Sequence, residues 1–383
     1  MTGKYSDKDN MSVMRLFSVD VKLIICIAAA WAVELALGAP RIFPQLSAIS
    51  VRFIRATADR FLALTGRKAS AEKLAGFLLA LYIALFAFIL IAVPLNFVYG
   101  IHPALYYLLN AYLCARMLNT RASADRALVE LKTLDSGDAA GIWRAIDRLS
   151  KSFLEGVLAP LIFMSAGVFL GVPAAICAMY KALSALARNA AKDGDEYGGI
   201  CWAASGIDYA LAFFPARVCG LALPFFAPLC GTGARGIARG LHATRDGYSA
   251  RASSNKNERD NSAWPAAALA GSLGIRPCTV AGAAAGAKAV AGAGADAWAG
   301  AAAGTRAGAG AGTKAGAAAG TRAGAGAGMG GGLLIEHGII DGLREPELGD
   351  IRKAARMTIA ASAFAAALCC GMLLYCRAII SIQ

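Results

Sequence analysis

The run from Leu74 to Val98 contains no charged side chain and is long enough to cross a bilayer as one helix. Hydrocarbon offers no water to backbone N–H and C=O groups, so such a run must satisfy them internally, as a helix does. Other apolar runs accompany it. Val21 to Gly38 is a short span, with a cleaved signal peptide as the rival reading. Ala104 to Leu118 returns as a shorter apolar helix whose Tyr106, Tyr107 and Tyr112 suit an interface. Phe153 to Leu186 is interrupted by Gly156, Pro160, Gly167, Gly171 and Pro173. Ile200 to Leu229 is interrupted by Pro215, Pro224 and Pro228. Met357 to Ile380 is the last span. The chain is 57% hydrophobic and 16% charged, against about 25% charged in a soluble domain. The expected fold class is all-α, a polytopic integral membrane helical protein.

The net charge of +13 belongs first to topology, because cytoplasmic loops collect Lys and Arg. The stretch Ala39–Lys73 holds Arg41, Arg52, Arg55, Arg60, Arg67, Lys68 and Lys73 against only Asp59 and Glu72, which places it in the cytoplasm. A multi-pass protein of the cell's inner membrane follows. Anionic substrates such as phosphates are a second use of the charge, and nucleic acid is not expected. Ten cysteines include no C-x-x-C pair and the three histidines are far apart, so zinc is not expected.

Four segments follow from composition. Residues 1–20 form a polar tail, and 21–280 a membrane helical domain with cytoplasmic polar loops. Residues 281–332 are an Ala/Gly low-complexity linker, and 333–383 a C-terminal segment with the last membrane helix. Within the domain, Asn119–Lys151 reads as a cytoplasmic helical hairpin divided at Gly137. Leu128, Leu131 and Leu134, then Ile142, Ile146 and Leu149, form its packing faces. Gly167 and Gly171 form a small-xxx-small pair for close helix packing. Gly231 to Gly236 spells G-x-G-x-x-G but follows a span, not a strand, so it reads as a flexible exit from the membrane and not as a nucleotide fingerprint. The longest densely polar segment, Arg245 to Leu273, is where hydrophilic chemistry is expected. Glu34, Asp208 and Arg217 lie within apolar runs, where an ionisable residue is a functional candidate.

Several motifs, in order, resemble the CobD/CbiB family. Glu34 with Leu37-Gly38-Ala39-Pro40-Arg41 resembles an acid followed by L-G-D-P-R. Glu155-Gly156-Val157-Leu158-Ala159-Pro160 resembles D-G-V-V-A-P, and Tyr180-Lys181-Ala182 the start of Y-K-A-I-N-T-L-D. Trp202-Ala203-Ala204, Asp208 and Pro215-Ala216-Arg217 resemble W-A-x…D…P-A-R. Arg245-Asp246, Asn261-Ser262-Ala263-Trp264-Pro265 and Ala270-Gly271-Ser272-Leu273 resemble R-D…S-P-N-A-G-W-P-E-A-A-x-A-G-A-L. Leu343-Arg344-Glu345-Pro346-Glu347 with Asp350-Ile351-Arg352 resembles the segment before the family's last helix. The resemblance departs where Ala39, Ser184, Ala187, Ala266 and Lys151-Ser152 stand in place of family carboxylates or amides, which marks a divergent member.

What the resemblance implies is adenosylcobinamide-phosphate synthase activity in cobalamin biosynthesis. This is an ATP-dependent amide ligation of adenosylcobyric acid, a corrinoid, with aminopropanol phosphate or aminopropanol. It implies ATP and Mg2+ as cofactors. Expected partners are the lipid bilayer, the corrinoid and amino-alcohol phosphate substrates, and other cobalamin-pathway enzymes. Phosphates need cations and N–H donors, developing charge needs metal or Arg, and the ammonium must lose a proton to a base. The residues carried over are Asp208, Asp246 and Glu155 as catalytic groups. Arg41, Lys181, Arg217, Arg245 and Asn261 are carried over as substrate and phosphate ligands, and Glu34 and Asp208 as metal ligands. No Walker A pattern is present. The alternative is a degenerate member that binds a corrinoid or a partner enzyme without turnover. An unrelated transporter is disfavoured by the chain order of the motifs.

Overall fold

The computed structural model describes residues 20–38, 56–60, 69–135, 137–192, 198–254, 261, 263–276 and 343–382. The polar tail, Arg41 and the Ala/Gly tract lie outside the described residues. The described elements are helical apart from one isolated parallel bridge between Ile275 and Arg344. In order they are α1 (Val21–Leu37), α2 (Ala69–Ile101), α3 (Pro103–Met117), α4 (Thr120–Leu131) and α5 (Ala139–Phe153). A π-helical turn (Leu154–Leu158) leads into α6 (Ala159–Phe169), followed by α7 (Pro173–Lys192) and α8 (Gly198–Ala222). A 3-10 segment (Leu223–Cys230), α9 (Gly233–Ser254), α10 (Ala263–Leu273) and α11 (Leu348–Ile382) complete the chain.

Local chemistry starts these helices. Asp20 accepts from the Lys22 N–H at 2.9 Å and opens α1. His102 Nδ1 accepts from the Ala104 N–H at 3.1 Å, with Pro103 opening α3, where its missing N–H costs nothing. Asp138 accepts from the Gly141 N–H at 2.8 Å and opens α5.

Among the described residues, four helical stretches are long and apolar enough to cross a membrane: Glu72–Ile101, Ala139–Phe169, Trp202–Cys230 and Leu348–Ile380. At 17 residues α1 is shorter than these. One face of α2 is buried through Leu79, Ile83 and Leu95, while Phe77, Leu81, Leu85 and Phe97 face outward, as lipid contact requires. The fold is that of an all-helical polytopic membrane protein.

Several sequence expectations change in detail. The expected boundary at Phe153 is not a break, because α5 runs through the π-helical turn into α6 as one apolar stretch. Ile142, Ile146 and Leu149 are core residues, but Leu128 is exposed, and α4 buries Thr120, Ser123, Ala124 and Ala127 instead. Small side chains let α4 lie close against α11. Gly167 does serve close packing: a Cβ there would meet Pro173 Cα at 2.6 Å. Gly171 does not. Its φ of +74° makes the left-handed turn between α6 and α7, and a Cβ would meet nothing within 4 Å. The G-x-G-x-x-G segment is no flexible exit. Gly231 ends the 3-10 segment at φ +79° and Gly233 begins α9. The polar stretch expected to carry irregular backbone is helical at both ends, as the last turns of α9 and the whole of α10.

The helix pair α9 and α10 crosses closely. A Cβ on Gly271 would meet the Ala243 Cβ and the Arg239 carbonyl oxygen, both at 2.6 Å. Because a backbone atom bounds that space, Gly271→Val should destabilise the protein by about 1–3 kcal/mol. A lowered thermal midpoint in detergent checks this.

Candidate functional site

The centre of the candidate site is the π-helical turn Leu154–Leu158. Its cause lies in the sequence. Pro160 has no N–H to give the Gly156 carbonyl, and the Ala159 N–H reaches back to Leu154 O, one residue further than in an α-helix. The Glu155 and Gly156 carbonyls, which an α-helix would use at this point, are therefore open. Each finds another donor. Lys181 Nζ, from α7, donates to Glu155 O at 2.9 Å, and the Asn119 N–H donates to Gly156 O at 3.0 Å. A Cβ on Gly156 would meet Asn119 Cβ at 3.1 Å, so the approach of these two segments needs a small residue there.

Charged groups gather around this turn. Arg188, one helical face further along α7, pairs with the Glu155 carboxylate. The Tyr180 ring stacks on Phe163 with centroids 4.4 Å apart, and its hydroxyl is buried without a hydrogen-bond partner among the described residues. Asp208 on α8, Glu155 and Arg188 all act electrostatically on that phenol. Three elements thus bring Glu155, Tyr180, Lys181, Arg188 and Asp208 together.

The hairpin of α6 and α7 explains how Lys181 comes to face Glu155. Tyr106 donates to the Gly171 carbonyl, which ties the hairpin turn to α3. From that turn α7 retraces the path of α6, and Lys181 is back at the level where the chain entered.

A second cluster adjoins along α8. Asn261, buried just before α10, donates from Nδ2 to Tyr209 O at 2.7 Å and accepts from Arg217 Nη1 at 3.0 Å. Arg217 also donates to Phe213 O at 2.9 Å. Its guanidinium lies over the rings of Phe213 and Trp264, 3.1 and 4.9 Å from their centroids, a cation–π arrangement. Tyr209 follows Asp208 in sequence, so Asn261 joins the two clusters. Arg245 is exposed on α9. Asp246 belongs to the same helix, but its side chain lies outside the described residues, as does Arg41.

Glu34, expected as a metal ligand, contacts α4. It is 1% exposed at the end of α1, and its Oε1 accepts from the Arg121 N–H at 3.0 Å, satisfying a donor in the first turn of α4. In return the Arg121 guanidinium donates to the carbonyls of Leu35 and Ala36 at the end of α1. Among the described residues no three His, Cys, Asp or Glu side chains form a group that could hold a metal ion.

Sequence reasoning missed Arg121, Arg188 and the Tyr180 hydroxyl as members of the site. Tyr180 precedes Lys181 within the same motif and was legible there. Arg188 follows Lys181 at a spacing of two helical turns, which places both on one face of α7.

The CobD/Cbib protein family model matches residues 132–279, a segment that contains the π-helical turn, α7, α8, Asn261 and α10. The chain is 30% identical over 200 residues to "Cobalamin biosynthesis protein CobD" of Klebsiella pneumoniae, covering 46% of this chain and 58% of that protein. It is 33% identical over 136 residues to the protein of the same description from Geobacter metallireducens, covering 35% and 38%. A third, from Pelobacter propionicus, is 29% identical over 275 residues, covering 65% and 78%. No solved structure matches. The chain is thus similar to the CobD/CbiB family over the segment that holds the π-helical turn, and it spans less than two thirds of the length of the first of these relatives.

Proposed function

We propose that this protein is an amide-forming ligase of cobalamin biosynthesis, an adenosylcobinamide-phosphate synthase. It would join a carboxyl group of adenosylcobyric acid to the amine of aminopropanol phosphate or aminopropanol, driven by ATP. The observation that carries this reading is the meeting of Lys181, Arg188, Glu155 and Asp208 around the bulged turn. Cations beside carboxylates at a membrane boundary suit a phosphorylated amine and a carboxyl group that must be activated.

The roles divide by environment. Lys181 and Arg188 offer charge to phosphate. Glu155 is held by Arg188, and Asp208, carried over from its motif, is the group assigned to take the proton from the attacking ammonium. Arg217, held by Asn261 and by two aromatic faces, is pre-aimed toward the same region of α8. Arg41, Arg245 and Asp246 are assigned to the same site by their motifs alone. ATP and Mg2+ are carried over from the family, with Asp208 and Glu155 as the groups that would meet the metal. Bound there, the ion would neutralise phosphate charge.

A second reading is favoured by Ala187. It stands where the family motif has a carboxylate, and it is buried in an apolar cluster with Leu79, Ile83 and Leu183. A member with such a filled position could hold a corrinoid without turning it over. Complementation separates the two. A strain lacking this step and carrying the full chain is expected to make cobalamin from supplied cobyric acid. No growth, with the protein present in the membrane fraction, overturns the ligase reading in favour of the second.

A further inference from the structure

A cleft of about 660 Å³ lies apart from the π-helical turn, at the N-terminus of α9. Its lining includes Thr232, Arg235, Arg239, Gly274, Arg344 and Lys353. Four of these are cationic, and none of the described lining residues is acidic. Glu347 pairs with Arg344 at 3.3 Å, and Asp350 is fully buried behind the wall. It holds Arg344 through Oδ1 and Oδ2 at 2.6 and 2.8 Å, and Lys353 at 3.4 Å. These hydrogen bonds raise the Arg344 pKa above its ordinary value, so its charge is fixed at any physiological pH.

The wall containing Arg344 is brought from far along the chain. The Arg344 N–H donates to Gly274 O at 3.2 Å and the Arg276 N–H to Arg344 O at 2.8 Å, which closes the parallel bridge beside the end of α10. On the opposite wall, the first α-helical bond of α9 is Gly236 N–H to Thr232 O at 3.1 Å, so the N–H groups before it have no partner inside the helix. The Arg239 guanidinium lies against Gly274, where a Cβ would come within 2.8 Å of Nη1. Its Nε is buried with no hydrogen-bond partner among the described residues. Asp350 and Glu347 face Arg344 and Lys353, which leaves the charge of Arg235 and Arg239 on the other wall for an anion to meet.

We infer that this cleft binds a phosphate group, as a second anion site separate from the cluster around Glu155. Its position also bears on the source of that phosphate. Cys230 ends one candidate span and Lys353 stands in the opening turns of another, so the cleft opens at the membrane–water boundary. The headgroup of an anionic phospholipid and a soluble phosphate share the chemistry that these residues recognise.

The test uses the full chain in neutral detergent micelles at constant ionic strength, with thermal unfolding as the readout, so it does not depend on any catalytic activity. One arm adds inorganic phosphate and the other adds phosphatidylglycerol, with phosphatidylcholine as the neutral comparison. The expected result is a rise in the unfolding midpoint with one of these anions. At least ten-fold more of that anion should be required in the Arg235→Gln/Arg239→Gln variant. Arg148→Gln, which removes the same kind of charge from the Glu130 pair on α4 and α5, should respond as the wild type does. A response to inorganic phosphate assigns the site to a soluble ligand, and a response to phosphatidylglycerol alone assigns it to a lipid headgroup. Arg235 is exposed, so Arg235→Gln by itself carries the test if the double variant does not fold. Equal anion responses in the wild type and the cleft variants overturn the proposal.

Discussion

Lys181→Met is expected to lower amide formation by about 100-fold, the scale of one lost electrostatic contact to a developing or bound charge. The ammonium reaches the backbone of the bulged turn, donating to the Glu155 carbonyl at 2.9 Å. Methionine keeps the stem and its packing on α7 but removes the charge and the donor. The Glu155 carbonyl then loses its partner, which should cost about 1–3 kcal/mol of stability if no water replaces it. Both quantities are measurable on the same membrane preparation, as product formed from adenosylcobyric acid and as a thermal midpoint. A fall in the midpoint with product formation within two-fold of wild type would make Lys181 a structural donor only.

Pro160→Ala should separate activity from stability in the opposite direction. Alanine restores an N–H that the Gly156 carbonyl could accept, and it is favoured over proline inside a helix by about 3 kcal/mol. The thermal midpoint should therefore hold or rise. The turn would return to α-helical register, and residues before it would rotate relative to α6. The Glu155 carboxylate would leave Arg188 and its carbonyl would leave Lys181. Amide formation should drop by about ten-fold or more, as expected when a reacting geometry is displaced by about an ångström. A variant that keeps wild-type turnover with an unchanged midpoint would show that the bulge has no part in the chemistry.

Much of the helical organisation was legible in the residues. The uncharged run through α2 could be nothing but a span, because unsatisfied backbone groups are too costly in hydrocarbon. Ile142, Ile146 and Leu149 recur at helical spacing and are all buried. The motif order was enough to suggest the family before any fold was in view. Elsewhere the local signal pointed the wrong way. Of the Leu128, Leu131 and Leu134 stripe, Leu131 and Leu134 pack on the core, but Leu128 is exposed and α4 buries small residues beside α11 instead. Gly231 to Gly236 looked like a loose exit, since nothing in that string reports the cations facing it from across the cleft.

The sequence by itself determined that this chain crosses a membrane as helices, and it supplied the motifs in their order, since hydropathy and residue order are local properties. Only the tertiary structure decided which of those motifs meet. Lys181 and Glu155 are joined because Gly171 turns the hairpin, and Asn261 reaches Tyr209 because α9 and α10 fold back along α8. Arg344 enters the basic cleft through a bridge to Gly274 and Arg276, formed with a segment far away in sequence. Contacts of this kind depend on distance in space, which helical periodicity and composition do not encode.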